Sequence, residues 1–326
     1  LLRVERLKTY FRLRSGVLKA VDDISFALEP GKVLGIVGES GSGKSVTALS
    51  LMRLIDPPGR IEGGKIFYRD QNLLELPEAE MERKIRGNRI GMIFQDPMTS
   101  LNPSFTIGDQ IAEGIIAHQQ VTKEQARART IELLNVVGIP NAEERFRDYP
   151  HSLSGGMRQR VLIAAAIVCE PDLLIADEPT TALDVTIQAQ ILKLLSDLQQ
   201  RLNSAMILIT HDLGVIAAMA DDVMVMYAGR AVEYADVKTI FQDPQHPYTI
   251  GLLDSVIRLD DPIDVELRSI RGNPPVPIGL PSGCSFQPRC ARAIERCVLE
   301  YPALRSGGPN HRVACHLVGE GETQTP

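Results

Sequence analysis

The stretch "GESGSGKS" at 38–45 constrains this chain more than any other segment of it. It matches G-x-x-x-x-G-K-[ST], and its surroundings agree with that pattern. The apolar run Val33 to Val37 before it reads as a buried strand, and a helix is expected to start near Gly43. Glycines at these spacings let backbone N–H groups curl around phosphate oxygens. Lys44 adds a positive point charge, and the Ser45 hydroxyl is the kind of oxygen that ligates Mg²⁺. A strand, a phosphate loop and a helix in series point to an α/β fold with its chemistry at the carboxyl ends of strands.

Two further short apolar runs end in polar residues, "PDLLIADEP" at 171–179 and "SAMILITHD" at 204–212. The first delivers Asp177 and Glu178, and strand neighbours are expected to point to opposite faces. Asp177 would then hold Mg²⁺ through water, while Glu178 polarises the attacking water. An acidic pair ending a strand is by itself more often a solvated turn; the phosphate loop in the same chain reverses that weighting. Between the two runs, Ile187, Ile191, Leu195, Leu198 and Leu202 form the stripe of an amphipathic helix packed on a sheet. Residues 96–160 differ, because "TIGDQIAEGIIAHQQ" and "KEQARARTIELLNVVG" are helical patterns with no strand between them, which predicts an inserted helical subdomain. After Asp236 the sheet pattern fades. The proline-rich connector "GNPPVPIGLPSG" at 272–283 then leads into a small cysteine-rich extension, read as a separate appendage.

Composition excludes some function classes. The longest uncharged apolar run, "VLIAAAIVC" at 161–169, falls far short of the roughly 20 residues a membrane span needs. Charge is scattered through "LLRVERLKTYFRLRSG" at the start, so no secretory signal and a reducing cytosolic address are expected. A net charge of −6 gives no support to a general nucleic-acid surface. Of five cysteines, Cys169 lies on an apolar helix and reads as core, whereas Cys284, Cys290, Cys297 and Cys315 share one terminal segment. In a reducing compartment such clusters are more often metal ligands than disulfides. Their spacing matches neither a zinc knuckle nor a ferredoxin run. If "CARAIERC" were one helix, Cys290 and Cys297 would lie about 10 Å apart along its axis, awkward for one zinc and easier for a larger cluster; otherwise the helix must break. The residues leave open an iron–sulfur cluster, a structural zinc with His311 or His316 as substitute ligands, and buried free thiols.

The order "FQDP" (94–97), "LSGGMRQR" (153–160), "DEPTTALD" (177–184) and "THD" (210–212) resembles the nucleotide-binding subunits of ABC transporters over residues 1–235. The resemblance implies a P-loop ABC ATPase core with a mixed sheet, an inserted helical subdomain, and the extension of residues 236–326. It implies that ATP and Mg²⁺ are held by Gly38, Ser40, Gly41, Ser42, Gly43, Lys44 and Ser45, with Val46 contributing its backbone N–H. Val46 stands where most of the family has a second Ser or Thr, and Met157 where Gln is common. By the same matching, Ser45, Gln95 and Asp177 attend Mg²⁺, and Glu178, Gln95 and His211 carry the hydrolytic step. Ser154, Gly155 and Gly156 grip the ATP of a second subunit, Asp184 crosses the subunit interface, and Phe11, or its neighbour Tyr10, stacks on adenine.

"GRIEGGKI", "FQDPMTSLNP", "ADEPTTALDVTIQAQIL" and "QHPYTIGLL" are similar to the ATP-binding subunits of peptide and nickel importers, almost to the C-terminus. In that branch the terminal cysteines hold a [4Fe-4S] cluster. The implied partners are two transmembrane permease subunits, a second ATPase subunit and, indirectly, an extracytoplasmic solute-binding protein, with no nucleic acid. The implied place is the cytoplasmic face of the cell membrane. The rival class is a soluble ABC ATPase acting on nucleic acid or ribosomes; those usually hold two phosphate loops per chain, and this chain has one. A small-molecule kinase shares the loop but has no use for "LSGG".

Overall fold

The computed structural model describes residues 1–181, 183–255, 270–280 and 282–318. Parts of the expected extension 236–326, and Pro281 of its connector, therefore lie outside the described residues. The chain forms two compact units.

The first unit comprises residues 28–33 and 70–209 together with Leu1. Its centre is three parallel strands, with Leu173–Asp177 lying between Ile90–Ile93 and Ala205–Ile209. Every residue of the three is buried, which is why they read as unbroken apolar runs rather than alternating ones. From Ile93 to Leu173 the chain contains no strand. Its helices there include Ile107–His118, Lys123–Val136 and Gly155–Ile167. Thr106 and Thr122 start the first two by accepting backbone N–H groups, and Thr122 and Gln125 form a capping box. Helix Val185–Leu202 buries Ile191, Leu195 and Leu198 of the expected stripe; Ile187 and Leu202 at its ends are half-buried. Burying three such side chains stabilises by roughly 1.5–3 kcal/mol each.

The second unit comprises residues 2–27, 34–69 and the chain from Thr210 onward. Strands Gly16–Leu28, Leu2–Leu13 and Gly59–Tyr68 lie side by side in that order. In its second sheet, Val33–Val37 runs parallel to Asp222–Tyr227, whereas Arg230–Asp236 joins the latter antiparallel. The sheet is therefore mixed. The extension, expected as an appendage, supplies two further strands to this sheet. His311–Val313 pairs with Arg230–Asp236, and Arg305–Gly308 pairs with His311–Val313. Its anchor is Glu233, fully buried, which accepts hydrogen bonds from the N–H groups of Gln245 and His246 and lies 2.7 Å from His311 Nε2.

Candidate nucleotide and hydrolysis residues

In the second unit, the strand Val33–Val37 runs into the phosphate loop and the helix Lys44–Leu51 follows. Gly38, Gly41 and Gly43 all have positive φ, at 153°, 79° and 102°. A side chain at Gly43 would also run into the Ala20 carbonyl at 2.1 Å, so the curl tolerates glycine alone. Lys44 folds back over the loop, donating from Nζ to the carbonyls of Gly38 (2.7 Å) and Glu39 (3.1 Å). The buried Ser42 hydroxyl has no hydrogen-bond partner, as expected of a group waiting for phosphate oxygen. Ser40 and Gly41 are exposed, and Ser45 and Val46 are half-buried in the helix's first turn. These groups fit a nucleotide phosphate. His211 is exposed and follows Thr210, whose N–H donates to the Ile36 carbonyl at 3.4 Å, two residues before Gly38.

Of the two candidate adenine platforms, the Phe11 ring packs over Gly59, where a Cβ would come within 2.5 Å of it. The Tyr10 hydroxyl donates to Asp22 at 2.5 Å. Burial, then that hydrogen bond, drives the Tyr10 phenol far above its usual range, so it stays protonated.

In the first unit, Asp177 ends its strand almost fully buried. Glu178 diverges from it for a reason other than strand alternation: its backbone is left-handed, with φ 45°. That turn, rather than the pleat, re-aims the carboxylate. Its Oε2 accepts hydrogen bonds from Gln95 Nε2 at 3.2 Å and from Thr181 Oγ1 at 2.9 Å. The structure thus brings Gln95 and Glu178 together from positions 83 apart in sequence. Ser154 caps helix Gly155–Ile167, accepting from the Met157 N–H, and Ser154 and Gly155 are exposed. At Gly156 a Cβ would stand 2.7 Å from Ile187 Cγ2, which holds the start of this helix against Val185–Leu202. Asp184 caps the latter helix through the Ile187 N–H at 2.9 Å.

The cysteine segment is not one helix. A turn and two extended residues follow Cys290, and the helix covers only Glu295–Leu299. The Cys284 N–H donates to the Cys297 carbonyl at 2.7 Å, and a Cβ at Gly283 would meet the carbonyls of Cys297 and Val298. The axial separation expected for a continuous helix therefore does not arise. Burial pushes the Cys284 thiol up to about 11 and also raises Cys290 and Cys315. Each of these three also feels the charge of Cys297. Burial therefore favours the neutral thiol at these three positions. Among the described residues, no group of three or more His, Cys, Asp or Glu is gathered closely enough to hold a metal ion. His311 is committed to Glu233, whereas His316 Nε2 lies 2.9 Å from the Glu300 carbonyl and its buried Nδ1 has no hydrogen-bond partner. Cys169, half-buried, contacts the Gly114 carbonyl and Gln119.

Sequence reasoning missed three residues at the phosphate loop: Glu39, Tyr248 and Arg289. The Glu39 carboxylate pairs with Arg289, and its N–H donates to the Tyr248 hydroxyl at 2.8 Å. Only "QHPYTIGLL" hinted at Tyr248; no local pattern links positions 250 apart.

A family model described as "ABC transporter" matches residues 21–181, and one described as "Oligopeptide/dipeptide transporter, C-terminal region" matches 232–297. The oligopeptide transport ATP-binding protein AppD of Bacillus subtilis is 51% identical over 321 residues, 98% of this chain and 97% of that protein. OppD of Haemophilus influenzae, also an oligopeptide transport ATP-binding protein, is 53% identical over 320 residues, 98% of each. Among solved structures, a dimeric bacterial ABC transporter cassette aligns with a TM-score of 0.65 at 26% identity, over 73% of this chain and 99% of that one. The cbiO1 protein of Clostridium perfringens, part of an ABC transporter complex, gives 0.63 at 28% identity over 74% and 90%.

Proposed function

The chain belongs to the oligopeptide-type ATP-binding proteins of ABC transporters, and from that premise we propose that it is the ATP-hydrolysing motor subunit of a peptide importer. The observation that carries this reading is likeness of about 50% over nearly the whole chain, extension included, rather than over the ATPase core alone. No helix among the described residues is long and apolar enough to cross a membrane, so the path for solute belongs to two permease subunits. The chain works at the cytoplasmic face of the membrane with a second ATPase subunit, and a solute-binding protein delivers the peptide from outside.

The roles follow the chemistry of each group. The phosphate loop from Gly38 to Ser45, with the Val46 N–H, binds the phosphates of ATP, and Phe11 stacks on adenine. Ser45, Gln95 and Asp177 attend Mg²⁺, which supplies charge neutralisation at the phosphates. Glu178 orients and deprotonates the attacking water, with Gln95 and Thr181 holding its carboxylate. His211 contacts the γ-phosphate. Ser154, Gly155 and Gly156 offer a capped helix N-terminus to ATP on the second subunit, and Asp184 lies at that interface. Cys284, Cys290, Cys297 and Cys315 would be the ligands of a [4Fe-4S] cluster. The core spans 1–235, its helical subdomain about 96–160, and the extension 236–326.

The test is transport. In vesicles reconstituted with the permease subunits and the second ATPase, accumulation of a labelled oligopeptide should require this chain and ATP, and should vanish with Lys44→Ala. Accumulation that proceeds without the chain contradicts the proposal.

A further inference from the structure

The segment from Cys284 to Cys290 reaches the phosphate loop by two routes, one direct through Arg289 and one relayed by Tyr248. Phe286, 4% exposed, stands edge-on to Tyr227, with centroids 5.2 Å apart at 87°, and against Tyr248 at 5.5 Å. The Tyr248 hydroxyl in turn accepts the Glu39 N–H. Three residues beyond Phe286, Arg289 reaches the Glu39 carboxylate with both terminal nitrogens, at 2.6 and 3.0 Å. Its Nε donates to the Arg271 carbonyl at 2.9 Å, and its side chain is 6% exposed. Glu39 is the second residue of the phosphate loop, and its own carbonyl receives Lys44 Nζ and the Ser42 N–H. The extension therefore grips Glu39 by its carboxylate and, through Phe286 and Tyr248, by its backbone.

A carboxylate in a loop that binds a triphosphate is electrostatically wrong unless it is neutralised. A bidentate guanidinium does so and also fixes the geometry. We propose that Arg289 is a positioning residue of the phosphate loop: it cancels the Glu39 charge and holds the loop in its nucleotide-binding shape. This inference rests on the proposed function in taking the loop as the ATP site.

The experiment is equilibrium binding of MgATP to the full chain, with thermal unfolding run on every variant. Arg289→Ala should raise Kd by roughly ten-fold, the order lost with a charged hydrogen-bonded pair. Adding Glu39→Gln to it should restore most of the affinity, because the uncompensated carboxylate is then gone; a purely structural role would not be rescued. Glu39→Gln alone should bind ATP at least as well as the parent. Arg289→Ala binding within two-fold of the parent, or a double variant as weak as Arg289→Ala, overturns the clamp. A parent that binds no MgATP contradicts the ATP site itself, whereas an unrescued loss in Arg289→Ala contradicts only the clamp.

Discussion

Glu178 occupies a left-handed backbone at φ 45°, a conformation that costs a non-glycine residue on the order of 1–3 kcal/mol. It persists because its N–H donates to the Ile209 carbonyl at 2.9 Å and its carboxylate accepts from Gln95 and Thr181. Such strain turns the carboxylate away from the buried strand toward Gln95 and Thr181. Glu178→Gln should keep ATP affinity near the parent value and lower the single-turnover hydrolysis rate by about 10²–10⁴-fold, since the amide cannot take the proton. Near-normal single-turnover hydrolysis would remove Glu178 from the role of base. Asp177 and Glu178 are both legible as candidates in "LLIADEP", but the left-handed turn that separates them is not. A glutamate at positive φ is dictated by tertiary hydrogen bonds and leaves no compositional mark.

Among the elements, the helix Pro247–Asp254 links the extension to the phosphate loop, and His246 governs its start. His246 Nδ1 accepts the Tyr248 N–H at 3.0 Å, and the ring is 1% exposed. Burial pushes its pKa down to about 3 from the ordinary 6.5. The folded state therefore binds fewer protons than the unfolded state. Its stability is fully present above about pH 6.5 and is lost as pH falls from there toward 3. Replacing His246 with Asn, which can still cap, should flatten the urea-unfolding free energy across that window. An acid slope identical to the parent's would show that His246 is not its source. Helices such as Lys123–Val136 and Val185–Leu202 are readable from caps and apolar spacing, because both signals are local. The break within "CARAIERC" is not, because no glycine or proline in that stretch marks it.

For the whole molecule, the motifs that identify the ATPase lie in short contiguous stretches, which is why the amino-acid sequence alone reveals the family and its fold. It does not reveal the place of the extension. The strands of that extension complete a sheet begun near the N-terminal third of the chain, and its arginine meets a glutamate 250 positions away. Those contacts make the extension part of the nucleotide unit. The central claim is that this single ATPase unit is one half of a motor attached to a membrane channel, and subunit composition tests it most directly. The chain, tagged and expressed in its native host at natural levels, should be recovered from detergent-solubilised membranes with two permease subunits and a second ATPase subunit in equal amounts. Recovery without permeases, bound instead to ribosomes or nucleic acid, would contradict it.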